Sequence, residues 1–507
     1  MSMLEREVKF GAWPGLELPD FAEVVPDVAT VALPALRLEA TYYDTADLRL
    51  TRAGASLRHR SGEGDDAWTV KLSAGDGGVG LARREIRISG SERRVPAPAV
   101  SLVRGLTRGA PLAAVARLRT ERRRIRIADL DGVELAEVDD DEVSVVVGRR
   151  VASRFREVEV ELAAGADPAI LEAAAAVLRR AGATASDPTP KVVRALGPAA
   201  LGPPDVVLPG RRRPATIGAA VSATIASSVA GLLAHDPGVR LGEDPEDVHK
   251  ARVATRRLRS DLRTMRSLLD EQWVAGLRDE LRWISALLGE VRDTDVLVHR
   301  LERYTARLHP ADRPAGATLV ERLLGHREAA RLTLLAEMDS TRYTDLLERL
   351  VLAAREPFLD PAVEPDHEPG GMAELALRPW RHLAAAVDGL GELGDESVDG
   401  ALHEVRIRAK RCRYAAEAVE PVVGKPAAAF AAAVAAVQTA LGDFHDAVVA
   451  EAWLRDAVRR ETDPAVSFVA GQFIAVEREA AQTARAAWSA AWKRASARKR
   501  RRWIPGS

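Results

Sequence analysis

The first nine residues carry charged side chains of both signs at alternate positions. Glu5, Glu7 and Lys9 lie at odd-numbered positions, and the apolar residues Leu4 and Val8 lie at even-numbered positions. Alternate side chains of an extended strand point to the same face, so this strand would place two carboxylates and an ammonium group together. Carboxylates are hard oxygen ligands suited to Mg²⁺ or Mn²⁺, and lysine binds anions such as phosphate. The segment therefore predicts one wall of a polar cavity that holds a metal ion and an anion.

In later segments of the first 162 residues, charged side chains again occupy every second position. A solvated sheet face also alternates charged and apolar residues, and this is the better explanation for any single pair. The recurrence of both signs over many segments instead favours the lining of one cavity. These groups are Arg58 and Arg60; Glu85 and Arg87; Arg122, Arg124 and Arg126; Glu137, Asp139 and Asp141; Glu157, Glu159 and Glu161.

The elements that must position these charges are antiparallel strands. Up to Leu162 the dominant local pattern is the alternation of apolar and polar residues, which is typical of half-buried strands. A helix is expected from Asp167, with Pro168 at its first position, and the domain closes near Leu196. From Ile217 onward the periodicity becomes helical.

The length of 507 residues predicts two or three domains. Residues 197–214 contain five prolines and the basic run 211–213, a composition typical of a linker. A second interruption at residues 356–371 is rich in proline and acids and divides the helical region. The sequence therefore predicts domains at residues 1–196 and 217–503 with a linker at 197–216, and repeat halves at about 217–355 and 372–503.

The composition excludes several classes of protein. The single cysteine, Cys412, excludes an intramolecular disulfide and a cysteine-based zinc site, and it favours a reducing cytoplasm. The longest apolar run, residues 427–437, is too short to cross a bilayer, so no membrane span is expected. The net charge of -1 does not identify a partner, because the charges are distributed unevenly along the chain.

Taken in order, the strand motifs resemble those of CYTH domains, also called triphosphate tunnel metalloenzymes. The resemblance covers about residues 1–196. It implies an eight-stranded antiparallel barrel whose interior is a charged tunnel, with a Mg²⁺- or Mn²⁺-dependent activity on triphosphate groups. The motifs are Glu5-x-Glu7-x-Lys9, Tyr42-Tyr-Asp-Thr45, Leu57-Arg-His-Arg60, Thr69-Val-Lys71, Arg83-Arg-Glu85, a basic strand and Glu157-Val-Glu159.

The resemblance also implies roles for individual residues. Two positions stay open, because the acidic stretch 137–141 offers several candidates and Arg119 competes with Arg122 for one basic position. Lys191 occupies the place of a late lysine of the family. The implied metal-side carboxylates are Glu5, Glu7, Glu157 and Glu159, which form the catalytic group with Lys9; Lys9, Arg58, Arg60, Lys71, Arg122, Arg124 and Lys191 would bind phosphate oxygens.

These residue types also suit the chemistry of phosphate transfer by themselves. Arginine and lysine neutralise charge on a transferring phosphoryl group, so catalysis by positioning and electrostatics needs no protein nucleophile. A water activated by a metal ion or a carboxylate is then the expected attacking group, and the reaction is a hydrolysis. Glu85 or a residue near Asp139 could act as the base, and the sequence favours neither.

The helical half contains a strongly basic amphipathic helix over residues 247–263. Its basic side chains fall within one narrow stripe, beside an apolar face that includes Leu258 and Leu262. Like charges at i,i+3 and i,i+4 spacing repel each other, so binding to a polyanion explains the stripe better than helix stability does. The stripe is His249, Arg252, Arg256, Arg259 and Arg263.

The same basic pattern returns in the second half of the helical region. Two further sequences, Leu288-Gly-Glu-Val-Arg-Asp293 and Leu441-Gly-Asp-Phe-His-Asp446, follow the basic helices at nearly the same distance and are expected to form turns. These repeated motifs indicate that one helical unit is duplicated, and pseudo-twofold packing of the two copies would bring the two stripes into one groove. His403, Arg406, Lys410, Arg411 and Arg413 stand at the offsets of His249, Arg252, Arg256, Arg257 and Arg259.

These repeated elements resemble the CHAD domain, an α-helical module found after CYTH domains. The resemblance covers about residues 217–503 and implies binding of inorganic polyphosphate by the basic residues of both stripes. Contacts to phosphate alone give tight, salt-sensitive association, and the scarcity of aromatic residues beside the stripes argues against a dedicated nucleic-acid groove. His249 and His403 could approach each other, although neither has the i,i+4 partner of a helical zinc site.

The sequence thus predicts an α+β multidomain protein with an N-terminal antiparallel β-barrel tunnel and a C-terminal all-α bundle with an internal pseudo-twofold repeat. The first functional hypothesis is Mg²⁺- or Mn²⁺-dependent hydrolysis of inorganic triphosphate or related triphosphates, with polyphosphate bound by the helical domain. The alternatives are a non-catalytic polyphosphate-binding or localisation protein and an adenylate cyclase. The expected location is the cytoplasm, with association with polyphosphate granules. The oligomeric state and the preferred metal stay open.

Overall fold

The chain forms two compact units, residues 1–205 and 206–507. A computed structural model describes residues 2–23, 27–62, 64, 67–73, 81–92, 94–184, 189–210, 212–392, 395–459 and 461–507. Within these ranges the side chains of residues 2–5, 23, 81–82, 391–392 and 395–398 are not described.

The first unit is a closed antiparallel barrel, with eight strands in the described ranges. The spatial order is β1-β5-β4-β3-β2-β6-β7-β8, and closure is achieved because the first strand pairs with both the fifth and the last. The predicted eight-stranded antiparallel barrel is therefore confirmed. The strands are β1 (Ser2–Ala12), β2 (Val28–Asp44), β3 (Ser56–Ser61), β4 (Ala67–Ser73), β5 (Leu81–Ser89), β6 (Ala113–Asp129), β7 (Glu134–Val147) and β8 (Arg150–Leu162).

Short helices cover the apolar outer face of this barrel. They are α1 (Arg49–Arg52), α2 (Ala97–Thr107), α3 (Ala169–Arg180) and α4 (Lys191–Leu196). Val8 and Phe10, which alternate with the charged residues of β1, pack with Leu171 and Leu178 of α3 in one hydrophobic cluster. The alternation in the sequence therefore separates an apolar exterior from a charged interior.

The helix α4 packs with the apolar residues at one end of the barrel. Val192 of α4 belongs to the same cluster as Ala40, Tyr42 and Leu118 of the neighbouring strands β2 and β6. Lys191, the first residue of α4, lies among the residues that line the charged interior. One short helix thus combines an apolar contact with an inward-pointing cation.

Part of the predicted linker packs within the first unit. The 3₁₀ helix Gly197–Leu201 follows α4 directly, and the Arg52 side chain donates a hydrogen bond to the Ala199 carbonyl. Further along, Arg108 forms an ion pair with Asp205. Residues 197–205 are therefore tied to the barrel by polar contacts.

The second unit is helical throughout its regular structure. Half of the most apolar window of α5 is buried in the structure, and for α12 the share is 39%. Both helices are long and apolar enough to cross a membrane by length and composition alone, a test that core helices also meet. The main helices are α5 (Ile217–Leu241), α6 (Pro245–Thr264), α7 (Glu271–Thr305), α8 (Arg313–Met338), α9 (Thr341–Arg355), α10 (Leu377–Asp388), α11 (Asp395–Val423), α12 (Lys425–Arg459), α13 (Pro464–Ala495) and α14 (Arg498–Arg501).

The repeat is visible in the order of these helices. The basic helix α6 precedes the long helix α7, and the basic helix α11 precedes the equally long α12. In α6 the predicted apolar face is buried, since Leu258 and Leu262 are at most 1% exposed. The two basic helices pack directly against each other. The pseudo-twofold helical architecture predicted from the sequence is therefore present.

One local expectation is wrong. The two Leu-Gly sequences that were expected to form turns lie inside α7 and α12. The first of them lies beside the basic helix α6, because a Cβ atom added at Gly289 would be in ordinary van der Waals contact with the Arg252 Nε atom, at 3.5 Å.

Candidate functional site

The barrel interior contains a cavity lined mainly by charged side chains. Charged side chains from seven strands line it, and Lys191 enters from α4. The lining residues with ionisable groups are Glu7, Lys9, Tyr42, Arg58, Arg60, Lys71, Arg83, Glu85, Arg87, Arg122, Glu137, Asp139, Asp141, Glu159, Glu161 and Lys191.

Lys191 forms ion pairs with three carboxylates of the barrel interior. Its Nζ atom lies 3.0 Å from Asp141, 2.6 Å from Glu157 and 2.7 Å from Glu159. Burial lowers the pKa of Lys191, but the nearby carboxylates outweigh this effect and raise the pKa well above its ordinary value. Burial raises the pKa of Glu159, but the positive charge of Lys191 and of the neighbouring cations outweighs it and holds that pKa well below its usual range.

Two further cations, Arg122 and Lys9, pair with carboxylates on the same side of the cavity, here called the acidic wall. Arg122 donates to both oxygens of Asp141 at 2.8 and 2.7 Å and also pairs with Asp139. Lys9 lies 3.2 Å from Glu7 and forms a second ion pair with Glu159. The cross-strand register explains these contacts, because Lys9 faces Glu159 across β1 and β8. Strands β1, β7 and β8 therefore supply carboxylates that are held by cations.

The opposite half of the barrel is mainly basic. Strands β3, β4 and β5 place Arg58, Arg60, Lys71 and Arg87 in the lining, and Glu85 is the acid of these strands. Lys71 faces Glu85 across the strands, with 3.0 Å between the Nζ and carboxylate oxygen atoms. The cavity thus has an acidic wall and a basic wall, which suits a ligand that combines a cation with an anionic phosphate chain.

The two candidate bases, Glu85 and Asp139, differ in pKa. Burial raises the pKa of Glu85, but Lys71, Arg58 and Arg87 outweigh it and hold that pKa at about 2. For Asp139 burial dominates and raises the pKa to about 8, even though Arg122 is adjacent. The buried Oδ1 atom of Asp139 accepts no hydrogen bond from the described residues. The pKa of Asp139 thus lies closer to neutral pH than that of Glu85, which makes Asp139 the better matched of the two to proton transfer.

The helical unit brings the two basic stripes together at their central residues. Lys410 of α11 is close to Arg252 and Arg256 of α6 and to Arg406 on its own helix. Burial and then these neighbouring charges lower the pKa of Lys410 to about 7. Among the described residues, no carboxylate lies within salt-bridge distance of Arg256, Arg406 or Lys410. Repeat-equivalent residues thus form one cluster of positive charge, here called the central cluster: Arg252, Arg256, Arg406 and Lys410.

Each histidine of the stripes lies beside the long helix that follows its own basic helix. His403 contacts His445 of α12, with 3.2 Å between the two Nδ1 atoms. Burial lowers the pKa of His249, and the nearby Arg292 of α7 adds to this effect. The predicted approach of His249 to His403 stays a prediction. Arg252 is held at 3.0 Å by Asp293 of α7.

Outside the central cluster, some basic residues of the stripes form ion pairs with an acid and others do not. Arg413 is paired with Glu417 at 2.7 Å, and Arg257 lies 3.7 Å from the same glutamate. Among the described residues, no acid lies within salt-bridge distance of Arg259 or Arg263, and burial together with neighbouring arginines lowers the pKa of Arg263 to about 10. The structure thus divides the predicted basic residues into paired and unpaired groups.

Comparison with known proteins agrees with this two-part architecture. The CYTH domain family matches residues 3–196, and the CHAD domain family matches residues 223–455. An uncharacterized protein of Mycobacterium tuberculosis, found in two strains, is 31% identical over 517 aligned positions that cover 97% of this chain and 96% of that protein. This chain is a CYTH–CHAD protein.

Two solved structures are also similar. PptA from Streptomyces chartreusis is 27% identical with a TM-score of 0.46, and the match covers 55% of this chain and 99% of that chain. The CHAD domain from the plant Ricinus communis is 25% identical with a TM-score of 0.43, covering 57% of this chain and 97% of that chain.

CYTH proteins belong to a family of tunnel metalloenzymes whose members are triphosphatases or cyclases and use divalent metals. The carboxylates of the acidic wall fit such an ion by donor chemistry, since hard oxygen atoms are the ligands of Mg²⁺ and Mn²⁺. Within the described residues, no three acidic or histidine side chains are already grouped to hold an ion. The Glu5 side chain, which the sequence adds to the ligand set, lies outside the described residues.

The CYTH cavity also decides between residues that the sequence left open. Arg119 is 59% exposed and pairs with Glu39 on the outer face, whereas Arg122 points inward. The odd spacing between them requires opposite faces of β6. Arg124 pairs with Glu137 at 3.4 Å on the inward parity. Sequence reasoning placed Arg87 on the cavity face without a binding role and gave no role to the lining residue Arg83, although both alternate with the same phase as Glu85.

Proposed function

We propose that the CYTH unit hydrolyses inorganic triphosphate or a related triphosphate with Mg²⁺ or Mn²⁺. The observation that carries this proposal is the division of one cavity into an acidic and a basic wall. A triphosphate needs several cations around its oxygen atoms, and a divalent ion needs carboxylates on its other side. The CYTH cavity supplies both within one barrel.

The charge balance of the acidic wall supports the same proposal. Its buried carboxylates outnumber the cations that contact them, so at neutral pH the wall carries an excess of negative charge unless a proton or a divalent cation compensates it. The raised pKa of Asp139 is one consequence of this excess and of burial. The five carboxylates are Glu7, Asp139, Asp141, Glu157 and Glu159, and the four cations in contact with them are Lys9, Arg122, Lys191 and Arg194.

In the proposed reaction, a water molecule attacks the terminal phosphorus atom. The bond between that phosphorus and its bridging oxygen breaks, and diphosphate leaves. A divalent ion held by Glu5, Glu7, Glu157 and Glu159 would supply charge neutralisation on the phosphate oxygens. Arg58, Arg60 and Lys71 would bind the anion from the basic wall, and Asp139 would take the proton from the attacking water.

The test is release of orthophosphate from tripolyphosphate in the presence of Mg²⁺ or Mn²⁺. We expect Glu159→Gln and Glu5→Gln to reduce turnover by at least about 100-fold, because each removes charge from the proposed metal side. Glu142→Gln is the matched control, since Glu142 is half-exposed on β7 and pairs with Arg123 outside the cavity. Unchanged turnover in both cavity variants would overturn the assignment. Formation of cyclic AMP from ATP would instead favour the cyclase alternative.

We further propose that the CHAD unit binds inorganic polyphosphate through the central cluster. The observation that carries this proposal is the absence of a salt-bridging acid near Arg256, Arg406 and Lys410 among the described residues. Uncompensated cations on packed helices repel each other, and a flexible polyanion relieves this repulsion. Calorimetric titration with long-chain polyphosphate should show binding that weakens steeply with salt and is largely lost in Arg252→Gln/Arg406→Gln.

A purely binding protein is the second candidate function. It is favoured by the cation-paired state of the tunnel carboxylates, in which Lys191 contacts Asp141, Glu157 and Glu159. If this candidate is correct, the barrel holds phosphate chains without turnover. Polyphosphate binding would then persist in a protein that shows no orthophosphate release with any divalent metal. Association with polyphosphate granules in the cytoplasm is part of the same proposal.

A further inference from the structure

The two repeats of the CHAD unit differ in charge beyond the central cluster. Arg263 on α6 has Glu417 as its equivalent on α11, and Arg266 has Glu420. On the long helices, the equivalents of Arg278 and Arg282 are Ala431 and Ala435, since Asp293 corresponds to Asp446. The first repeat thus carries four arginines where the second carries acids or alanines.

These additional arginines continue the stripe of α6 onto α7. Arg278 and Arg282 are one helical turn apart, and both lie close enough to Arg259 to lower its pKa after the effect of burial. Arg278 and Arg411 act in the same way on Arg263. The residues therefore form one continuous surface, here called the one-sided arginine surface: Arg259, Arg263, Arg266, Arg278, Arg282 and Arg411.

The surface has little internal compensation. Arg282 has an acid at 2.9 Å, Asp279 on its own helix. In the described part of the chain, no carboxylate lies within salt-bridge distance of Arg259, Arg263, Arg278 or Arg411. The Nε atom of Arg278 is buried and donates no hydrogen bond to the described residues. Arginines without an acidic partner can bind phosphate, because a guanidinium group donates two parallel hydrogen bonds to phosphate oxygens.

The equivalent position in the second repeat is neutralised. Glu417 accepts from Arg413 at 2.7 Å and lies 3.7 Å from Arg257, and Gln438 lies 3.3 Å from Arg413. Arg413 is the repeat equivalent of Arg259, yet its charge is already paired. A polyanion leaving the central cluster therefore meets unpaired cations on one side and a paired group on the other.

We propose that the one-sided arginine surface is a second subsite for inorganic polyphosphate, which binds the part of a long chain that extends beyond the central cluster. The inference rests on the proposed binding function of the CHAD unit and adds a direction to it. A long chain would bind asymmetrically on a pseudo-symmetric scaffold, with its extension over the arginines of α6 and α7 and over the adjacent Arg411 of α11.

The decisive experiment compares two repeat-equivalent arginines in the full chain. Long-chain polyphosphate is titrated calorimetrically into Arg259→Gln and Arg413→Gln. A symmetric groove requires equal losses of affinity. The one-sided subsite requires a loss of about tenfold for Arg259→Gln, which corresponds to one charge-assisted contact, and a loss below about threefold for Arg413→Gln. Equal losses would overturn the proposal.

A second variant tests the residues on α7. Arg278→Gln/Arg282→Gln should weaken long-chain binding by at least about tenfold and flatten its salt dependence, since fewer phosphates are neutralised. Arg455→Gln/Arg459→Gln removes the same charge at the same spacing from exposed positions of α12 and should change neither quantity. An unchanged affinity in the α7 double variant would overturn the proposed subsite.

The outcomes also separate this inference from the function on which it rests. If Arg252→Gln/Arg406→Gln loses binding while the α7 double variant keeps it, polyphosphate binding stands and the second subsite fails. If neither variant loses binding, both proposals fail. Competition with single-stranded DNA of equal charge identifies the ligand class, because equal displacement of polyphosphate by DNA would overturn the assignment to inorganic polyphosphate.

Discussion

The two units of this protein use charge in opposite ways. In the CYTH barrel, cations and carboxylates alternate in one buried cavity and pair with each other, as Lys191 does with Glu157 and Glu159. In the CHAD bundle, cations such as Arg256 and Lys410 lie together without a salt-bridging acid among the described residues. Both units are expected to bind phosphate, but the barrel cavity pairs charges of opposite sign, whereas like charges are grouped at the centre of the bundle.

This difference teaches how the physical role of an ionisable residue depends on its neighbours. Buried paired charges are costly to break, because removal of one partner leaves the other desolvated and uncompensated. Clustered like charges have the reverse property, since removal of one member relieves repulsion. Neutralising substitutions should therefore destabilise the barrel and stabilise the bundle.

The largest effect is expected for Lys191→Met. The substitution leaves Asp141, Glu157 and Glu159 without their shared cation, so the barrel should lose about 3–5 kcal/mol of stability. Hydrogen exchange of the amides in β7 and β8 measures this loss locally. Arg37→Met, at a position that is 91% exposed, is the control and should change stability by less than about 1 kcal/mol. Equal protection in the two variants would contradict the paired-cavity interpretation.

The next effect separates the two faces of β6. Arg122→Gln should lower the turnover of tripolyphosphate by about 100- to 1000-fold, because it removes a buried cation from the cavity. Arg119→Gln removes the same charge from the outer face and should leave turnover within about twofold of the wild type. Steady-state phosphate release provides the comparison, and similar losses in both variants would show that the charge acts from a distance.

The pH dependence of polyphosphate binding should depend on Lys410. Its pKa is lowered to about 7 by burial and by Arg256, Arg406 and Arg252, with Asp446 opposing them. A bound polyanion would raise this pKa again, so binding takes up a proton, and affinity should fall about tenfold between pH 6 and pH 8. Lys410→Arg, which stays protonated, should reduce this slope. Calorimetry in buffers of different ionisation enthalpy measures the proton uptake.

The same lowered pKa has a consequence for folding. An unfolded lysine keeps its proton up to a pKa of about 10.4, so between pH 7 and that value the unfolded state binds more protons than the folded state. The contribution of Lys410 to the stability of the bundle therefore increases as pH rises through this window. Lys410→Gln should remove that part of the pH dependence in thermal unfolding.

The smallest effect is a gain in stability. Arg263→Gln relieves repulsion with Arg278 and Arg411, so the CHAD unit should become more stable by roughly 0.5–1 kcal/mol at low salt. The gain should shrink as salt screens the arginines, and wild-type stability should rise when polyphosphate is added. Thermal unfolding at two salt concentrations provides the measurement. A loss of stability at low salt would show that Arg263 has a structural partner.

The sequence predicted which faces carry charge more fully than it predicted which charges pair. Alternation along β1 placed Glu7 and Lys9 inside because the side-chain period of a strand is two. Their contacts with residues of β8 depend on register between strands that are far apart in sequence, and alternation alone contains no register. The choice among residues 137–141 stayed open for the same reason.

In the bundle the helical period identified the stripe of α6 and its repeat on α11. It did not reveal that Arg278 and Arg282 of α7 extend the stripe, because that contact depends on how two helices pack. Their i,i+4 spacing on one helix face was the available signal. The pairing of Arg413 with Glu417 was likewise visible as an i,i+4 pair, and the repeat offset in the sequence places Glu417 at the position of Arg263.

The pairing of β1 with β8 also constrains the order of events during synthesis. β1 can pair with β8 only after residues 150–162 have been made, and Glu159, which faces Lys9, receives its contact with Lys191 later still. Such long sequence separation slows folding, since a large loop must close before the contact forms. Until β8 has been made, one edge of β1 in the nascent barrel is therefore expected to stay unpaired.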